Sequence, residues 1–149
     1  MEKLIKKIIL ENVTFFGSSG FYIFLILFTF LIGSIKLSIW LSLGFLVNMI
    51  LAIAIKLLFF RHRPRKERFS NILEKIDAST FPSIHSMRSV SMLIFFFSYY
   101  NQLYLTLLFL AMSIGVFFSR YYLKKHFLKD IIFGILLGSL ISYLIISFI

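Results

Sequence analysis

Between Ser89 and Phe118 the chain runs for 30 residues without a charged side chain. As one α-helix that run would be ~45 Å long, against a hydrocarbon core of ~30 Å. Two shorter helices fit better, turning at Tyr99-Tyr100-Asn101-Gln102, the strongly polar point within the run. The expectation is a hairpin of two spans, residues 84–99 and 102–118. That turn decides on which side of a bilayer everything after it lies.

The rest of the chain points to the same environment. Of its 149 residues 60% are hydrophobic and 15% charged, and the mean hydropathy of +0.95 is far from that of soluble globular proteins. The fold class expected is all-α: a polytopic membrane helix bundle with five transmembrane helices and an N-terminal amphipathic interfacial helix. Residues 1–13 alternate lysines with Leu4, Ile5, Ile8, Ile9 and Leu10, the pattern of that surface helix. The remaining spans are 14–35, broken by Gly-Ser-Ser-Gly at 17–20, then 37–60 and 127–149. Residues 61–82 and 119–126 are the loops, and 1–149 reads as a single domain. Lysines followed by Glu11, with no small-residue cleavage site after a compact apolar core, argue against a cleavable signal.

No cysteine is present, which excludes disulfides, thiol catalysis and cysteine metal sites. A net charge of +10 would suggest nucleic acid for a soluble protein. Here it reads instead as a positive-inside protein on anionic lipid, with no nucleic-acid partner. The layout places the N-terminus and both loops at one end of the bundle. Setting aside Lys56, Arg63, Arg88 and Arg120, 12 of the 16 Lys and Arg remain; 11 lie at that end and only Lys36 lies opposite. This bias makes the crowded end cytoplasmic.

Three clusters fall at that end. Lys56 is followed, after six residues, by Arg63-Pro64. An ammonium one turn inside a span is costly, so Lys56 either snorkels or meets an anion. The second cluster, Phe81-Pro82-Ser83-Ile84-His85-Ser86, opens the third span. A helix start with proline leaves backbone N–H groups and a positive dipole end. With the Ser83 hydroxyl this makes an anion cradle, or a plain N-cap, and His85 beside it is a candidate proton donor. The third cluster is Ser119-Arg120, then His126 and Asp130. His126 and Asp130 are four apart, so on a helix they share a face, beside Arg120, Lys124 and Lys125. A metal held by His85, His126 and Asp130 is disfavoured by the surrounding cations, whereas an anion suits them. Arg88, one turn past His85, either reaches a second phosphate or headgroup or pairs with a loop carboxylate. Tyr121 and Tyr122 read as belt aromatics, and mid-span Asn48 as a bond between helices.

Together, Lys-six-Arg-Pro, Pro-Ser-x-His and Ser-Arg-five-His-three-Asp resemble the type 2 phosphatidic acid phosphatases, the lipid phosphate phosphatases. Soluble vanadium haloperoxidases share the signature, but this composition does not suit them. The resemblance covers residues 56–130 by motif and the flanking spans by layout.

By position, the resemblance implies His126 as nucleophile, forming a phosphohistidine, with Asp130 orienting the imidazole. His85 would protonate the leaving oxygen and then activate water. Lys56, Arg63 and Arg120 would bind the phosphoryl oxygens, with Ser83 and the N–H of Ile84 completing the cradle. No metal and no cofactor are implied. The substrate would be a lipid phosphate monoester or diphosphate in the bilayer: undecaprenyl-type diphosphate, phosphatidylglycerophosphate, phosphatidic acid or lipid A 1-phosphate. A lipid phosphotransferase using the same intermediate and a non-enzymatic small membrane protein are the alternatives. The chain would be a multi-pass protein of the cell (inner) membrane. Family habit puts the site on the extracytoplasmic face, against the charge bias. Two departures stand out: Ile84 occupies a position where the family has glycine, and five spans replace the usual six.

Overall fold

A computed structural model describes residues 1–62, 70–71, 74, 76 and 78–149, the side chain of Lys3 excepted. It consists of helices α1 (Glu2–Thr14), α2 (Ser19–Leu31), α3 (Ile35–Leu58), α4 (Ile84–Tyr100), α5 (Leu103–Tyr122) and α6 (Leu128–Phe148). Among the described residues, extended pairing is limited to one antiparallel bridge, His62 with Ser79.

α1 and α2 meet at a 45° bend across a short 3₁₀ turn, Phe15–Gly17. Ser18 makes the break, its side chain accepting the Phe21 N–H at 3.2 Å and capping the new helix. The long uncharged run divides where its polar residues lie. Asn101 takes a left-handed conformation (φ 49°) at the C-cap of α4, and its N–H returns to the Phe97 carbonyl. α5 then runs back along α4: the Phe96 and Phe109 rings stack at 4.1 Å, and Ser113 Oγ donates to the Ser89 carbonyl at 3.1 Å. The end of α5 thereby returns to the start of α4.

α4 lies at the centre, packed on α3, α5 and α6. α6 runs parallel to it, with Gly134 against Ser83 and Ser86 and Gly138 against Met87 and Val90. α3 runs antiparallel, Asn48 donating to Ser91 Oγ at 3.0 Å and Ala52 packing with Met87, so Lys56 ends level with the start of α4. Away from that end the core is aromatic, with Tyr22, Trp40, Phe95, Phe96 and Phe109 buried together. α3, α5 and α6 are long and apolar enough to cross a membrane, and the bent α1–α2 pair makes up to a fourth crossing. The chain is an integral membrane protein, its outward faces carrying Phe24, Leu27, Ile50, Leu107 and Leu136.

The α4–α6 contact depends on absent side chains. A Cβ at Gly138 would stand 2.5 Å from the Met87 carbonyl oxygen and 2.6 Å from Val90 Cγ1. Gly138→Ala should therefore cost about 1–3 kcal/mol through overpacking. Thermal unfolding in detergent should show a lowered midpoint. Gly20→Ala, where the added methyl meets nothing closer than 3.8 Å, should show none.

Candidate active site

The three clusters meet at one end of the bundle. His126 lies in the turn between α5 and α6, closed by its own N–H and that of Lys125 on the Arg120 carbonyl, both at 3.2 Å. Lys124 takes a left-handed φ of 54° to make that closure. The turn holds His126 under the start of α4, 3% exposed.

The imidazole is fixed through two nitrogens. Nδ1 lies 2.7 Å from the Thr80 carbonyl oxygen and Nε2 lies 3.4 Å from Arg120 Nη2. A carbonyl only accepts, so Nδ1 carries the proton and Nε2 carries the lone pair. Burial, followed by the charges of Arg120 and Lys56, holds the His126 pKa well below its ordinary 6.5. The result is a neutral imidazole whose basic nitrogen is aimed at a guanidinium.

Lys56 and Arg120 are both buried. Lys56 turns inward, donating to the Ile76 carbonyl at 3.2 Å, so it does not snorkel. His85, half-buried in the first turn of α4, lies near enough to add to the field at His126. Ser83 is fully buried and accepts from Ser86 Oγ at 2.9 Å, which leaves the Ser83 proton to donate. The Ile84 N–H finds no hydrogen-bond partner among the described residues. The Ile84 side chain packs with Ala52, Met87 and Ile141, so the branched side chain replacing glycine turns into the core rather than over the cradle. Arg63 lies outside the described residues.

One expectation changes. Asp130 does not touch the imidazole. Its Oδ2 accepts the Phe127 N–H at 2.9 Å, its Oδ1 accepts from Arg61 Nη1 at 3.2 Å, and its carbonyl accepts the Ser83 N–H at 3.1 Å. The reason is local: α6 begins at Leu128, so His126 precedes the helix and the four-residue spacing does not stack the two side chains. Asp130 falls in the first turn, where free N–H groups draw a carboxylate. Its hold on His126 runs through the next peptide. Arg88 is buried, its guanidinium 4.9 Å from the Phe45 ring centre on α3; the loop carboxylates Glu67 and Asp77 lie outside the described residues.

Two further residues serve the site. Thr80 contributes only its carbonyl, and no side-chain pattern signals that. Arg61 supports His126 twice: its carbonyl accepts the Thr80 N–H at 2.9 Å, and its side chain holds Asp130 while lying 4.7 Å from the Phe127 ring centre. In the sequence Arg61 is one of several basic loop residues beside Arg63. Among the described residues no three His, Asp or Glu side chains gather as a metal would require.

Comparison with known proteins completes the picture. The chain has the fold of a membrane-embedded Bacillus subtilis protein whose crystal structure is described as the first transmembrane PAP2 type phosphatidylglycerolphosphate phosphatase. The TM-score is 0.77 at 23% identity, over 95% of this chain and 75% of that one. Comparison with curated proteins gives no match. Residues 37–149, which contain every candidate site residue, match the PAP2 superfamily. The chain belongs to the PAP2 superfamily.

Proposed function

We propose that this protein is a lipid phosphate phosphatase that hydrolyses a lipid phosphate monoester or diphosphate through a phosphohistidine at His126, without a metal. One observation carries the reading: the neutral His126 has Nδ1 committed to the Thr80 carbonyl and Nε2 directed at Arg120, with Lys56 nearby. In the first step the Nε2 lone pair attacks phosphorus and the bond to the leaving oxygen breaks, the alcohol oxygen of a monoester or the bridging oxygen of a diphosphate. His85 gives that oxygen its proton. In the second step His85 takes a proton from water, the hydroxide oxygen attacks phosphorus, and the P–N bond breaks to restore the imidazole. Lys56, Arg120, Arg63, Ser83 and the Ile84 N–H receive the phosphoryl oxygens, where charge accumulates as bonds rearrange. Asp130 and Arg61 keep the imidazole turn in place.

The same reading has α2 to α6 crossing the bilayer as five spans, with α1 at the interface. α4 has 17 residues, about 25 Å of helix, and it buries Ser86, Ser89, Ser91 and Arg88. The family's kinship with a phosphatidylglycerolphosphate phosphatase supports a lipid-borne phosphate as substrate.

Three outcomes are expected. His126→Ala should lower phosphate release from lipid phosphates in detergent by on the order of 10⁴-fold, whereas a chelator should leave the wild type unchanged. Retained activity in the variant, or loss to chelator, contradicts the mechanism. Next, because the His126 pKa is depressed, the acid limb of kcat/KM should lie below pH 6.5. Protonation of Nε2 removes the nucleophile as pH falls. Arg120→Gln takes away a charge that depresses this pKa, so the limb should move to higher pH as the rate falls. A limb that stays or moves down would count against it. Third, Arg61→Gln should reduce kcat about 10- to 100-fold by loosening the turn, with KM little changed and partial recovery in Arg61→Lys. A change confined to KM would make Arg61 a substrate ligand instead.

A further inference from the structure

The cavity that reaches His126 has a second wall in common with a groove outside the catalytic cluster. A space of about 710 Å³ is bounded by Tyr121, Tyr122, Lys124, His126 and Phe127 at the junction of α5 and α6. Across Tyr122 lies a groove of about 340 Å³ between α1 and α5, lined by Lys6, Ile9, Leu10, Phe118 and Tyr122. Two matched stripes build it. Lys6, Ile9 and Leu10 fall on one face of α1, and Phe118 and Tyr122 are one turn apart on α5, their rings stacked at 5.8 Å.

The groove has a closed end. The helices touch where Thr14 Oγ1 and Ser119 Oγ hydrogen-bond at 2.8 Å, and where Gly115 leaves only the space Val13 fills. From that clamp, next to Arg120, they leave the groove open toward Lys6. Lys6 directs its ammonium to Glu2 at 2.6 Å and leaves its methylene stem to the groove. An apolar groove therefore lies beside the cavity of His126, with Tyr122 lining both and α1 forming the groove's far wall.

We propose that this slot takes the hydrocarbon chain of the substrate while its phosphate lies at His126, which makes α1 part of the substrate site. The inference rests on the phosphatase reading for the headgroup. Its occupant is a single long alkyl or isoprenoid chain, committed by the shared Tyr122 wall and by the apolar lining beyond it. Burying such a chain contributes in proportion to the apolar area removed from competing environments and fixes the headgroup against the nucleophile.

The test compares hexadecyl phosphate with butyl phosphate in the same detergent. Leu10→Trp, and Ile9→Trp as a second variant, fill the slot. The ratio of kcat/KM for hexadecyl over butyl phosphate should fall about tenfold in each. A ratio unchanged in both, or a uniform loss on both substrates, overturns the proposal. A reading without turnover uses hexadecyl phosphate carrying a diazirine at mid-chain, photolysed with wild-type protein. Adducts should map to Ile9, Leu10 or Phe118, and adducts confined to other helices overturn the site. Labelling of the groove by a protein that releases phosphate from neither substrate would support the slot and refute the phosphatase reading, so the two failures are distinguishable.

Discussion

The hydrogen bond from His126 Nδ1 to the Thr80 carbonyl joins positions 46 residues apart. It forms only because α4 leaves from Thr80's end of the bundle and α5 brings the chain back. The turn at Asn101 is therefore a condition of the chemistry as well as of the fold. Between the two, α4 is held by α3 through Asn48 and Ser91, by α5 through Ser113 and Ser89, and by α6 at its glycines. These contacts determine the height at which Lys56, Ser83 and Arg120 meet. His126, although in a turn, is fixed by the Thr80 carbonyl ahead of α4 and by Arg120 near the end of α5.

The electrostatics follow from that geometry. Two buried cations lie beside a buried imidazole, an arrangement that costs free energy in an apolar medium unless the charges are engaged. Lys56 donates to a backbone carbonyl, Arg120 faces the imidazole, and the imidazole stays neutral. On the phosphatase reading these cations receive the phosphoryl oxygens of the substrate. The carboxylate Asp130 does not neutralise the pocket, because Arg61 and the first turn of α6 already engage it. From there it steadies the peptide that follows His126.

Much of this was legible in the chain. An uncharged run too long for the bilayer had to break, and Asn101 offers both polarity and tolerance of positive φ. The motif residues Lys56, Ser83, His85, Arg120 and His126 carry unusual chemistry for an apolar chain, so they stand out. What was not legible depends on backbone or on helix boundaries. Asp130 appeared to stack on His126 only as long as one helix was assumed to cover both, and α6 begins two residues too late for that. The direction of Ile84 follows from packing against Met87 and Ile141, which no spacing rule supplies. Thr80 acts through a carbonyl, and Arg61 is inconspicuous among basic neighbours.

On the phosphatase reading His126 Nε2 forms the bond to phosphorus. Wild-type protein can be incubated with a ³²P-labelled lipid phosphate, quenched in alkali, digested and sequenced by mass spectrometry. An acid-labile, base-stable phosphate should be found on His126, attached at Nε2, because Nδ1 is held by the Thr80 carbonyl. Phosphate attached at Nδ1 or on a different residue would contradict it. So would rapid turnover with no trapped phosphoenzyme at any quench time.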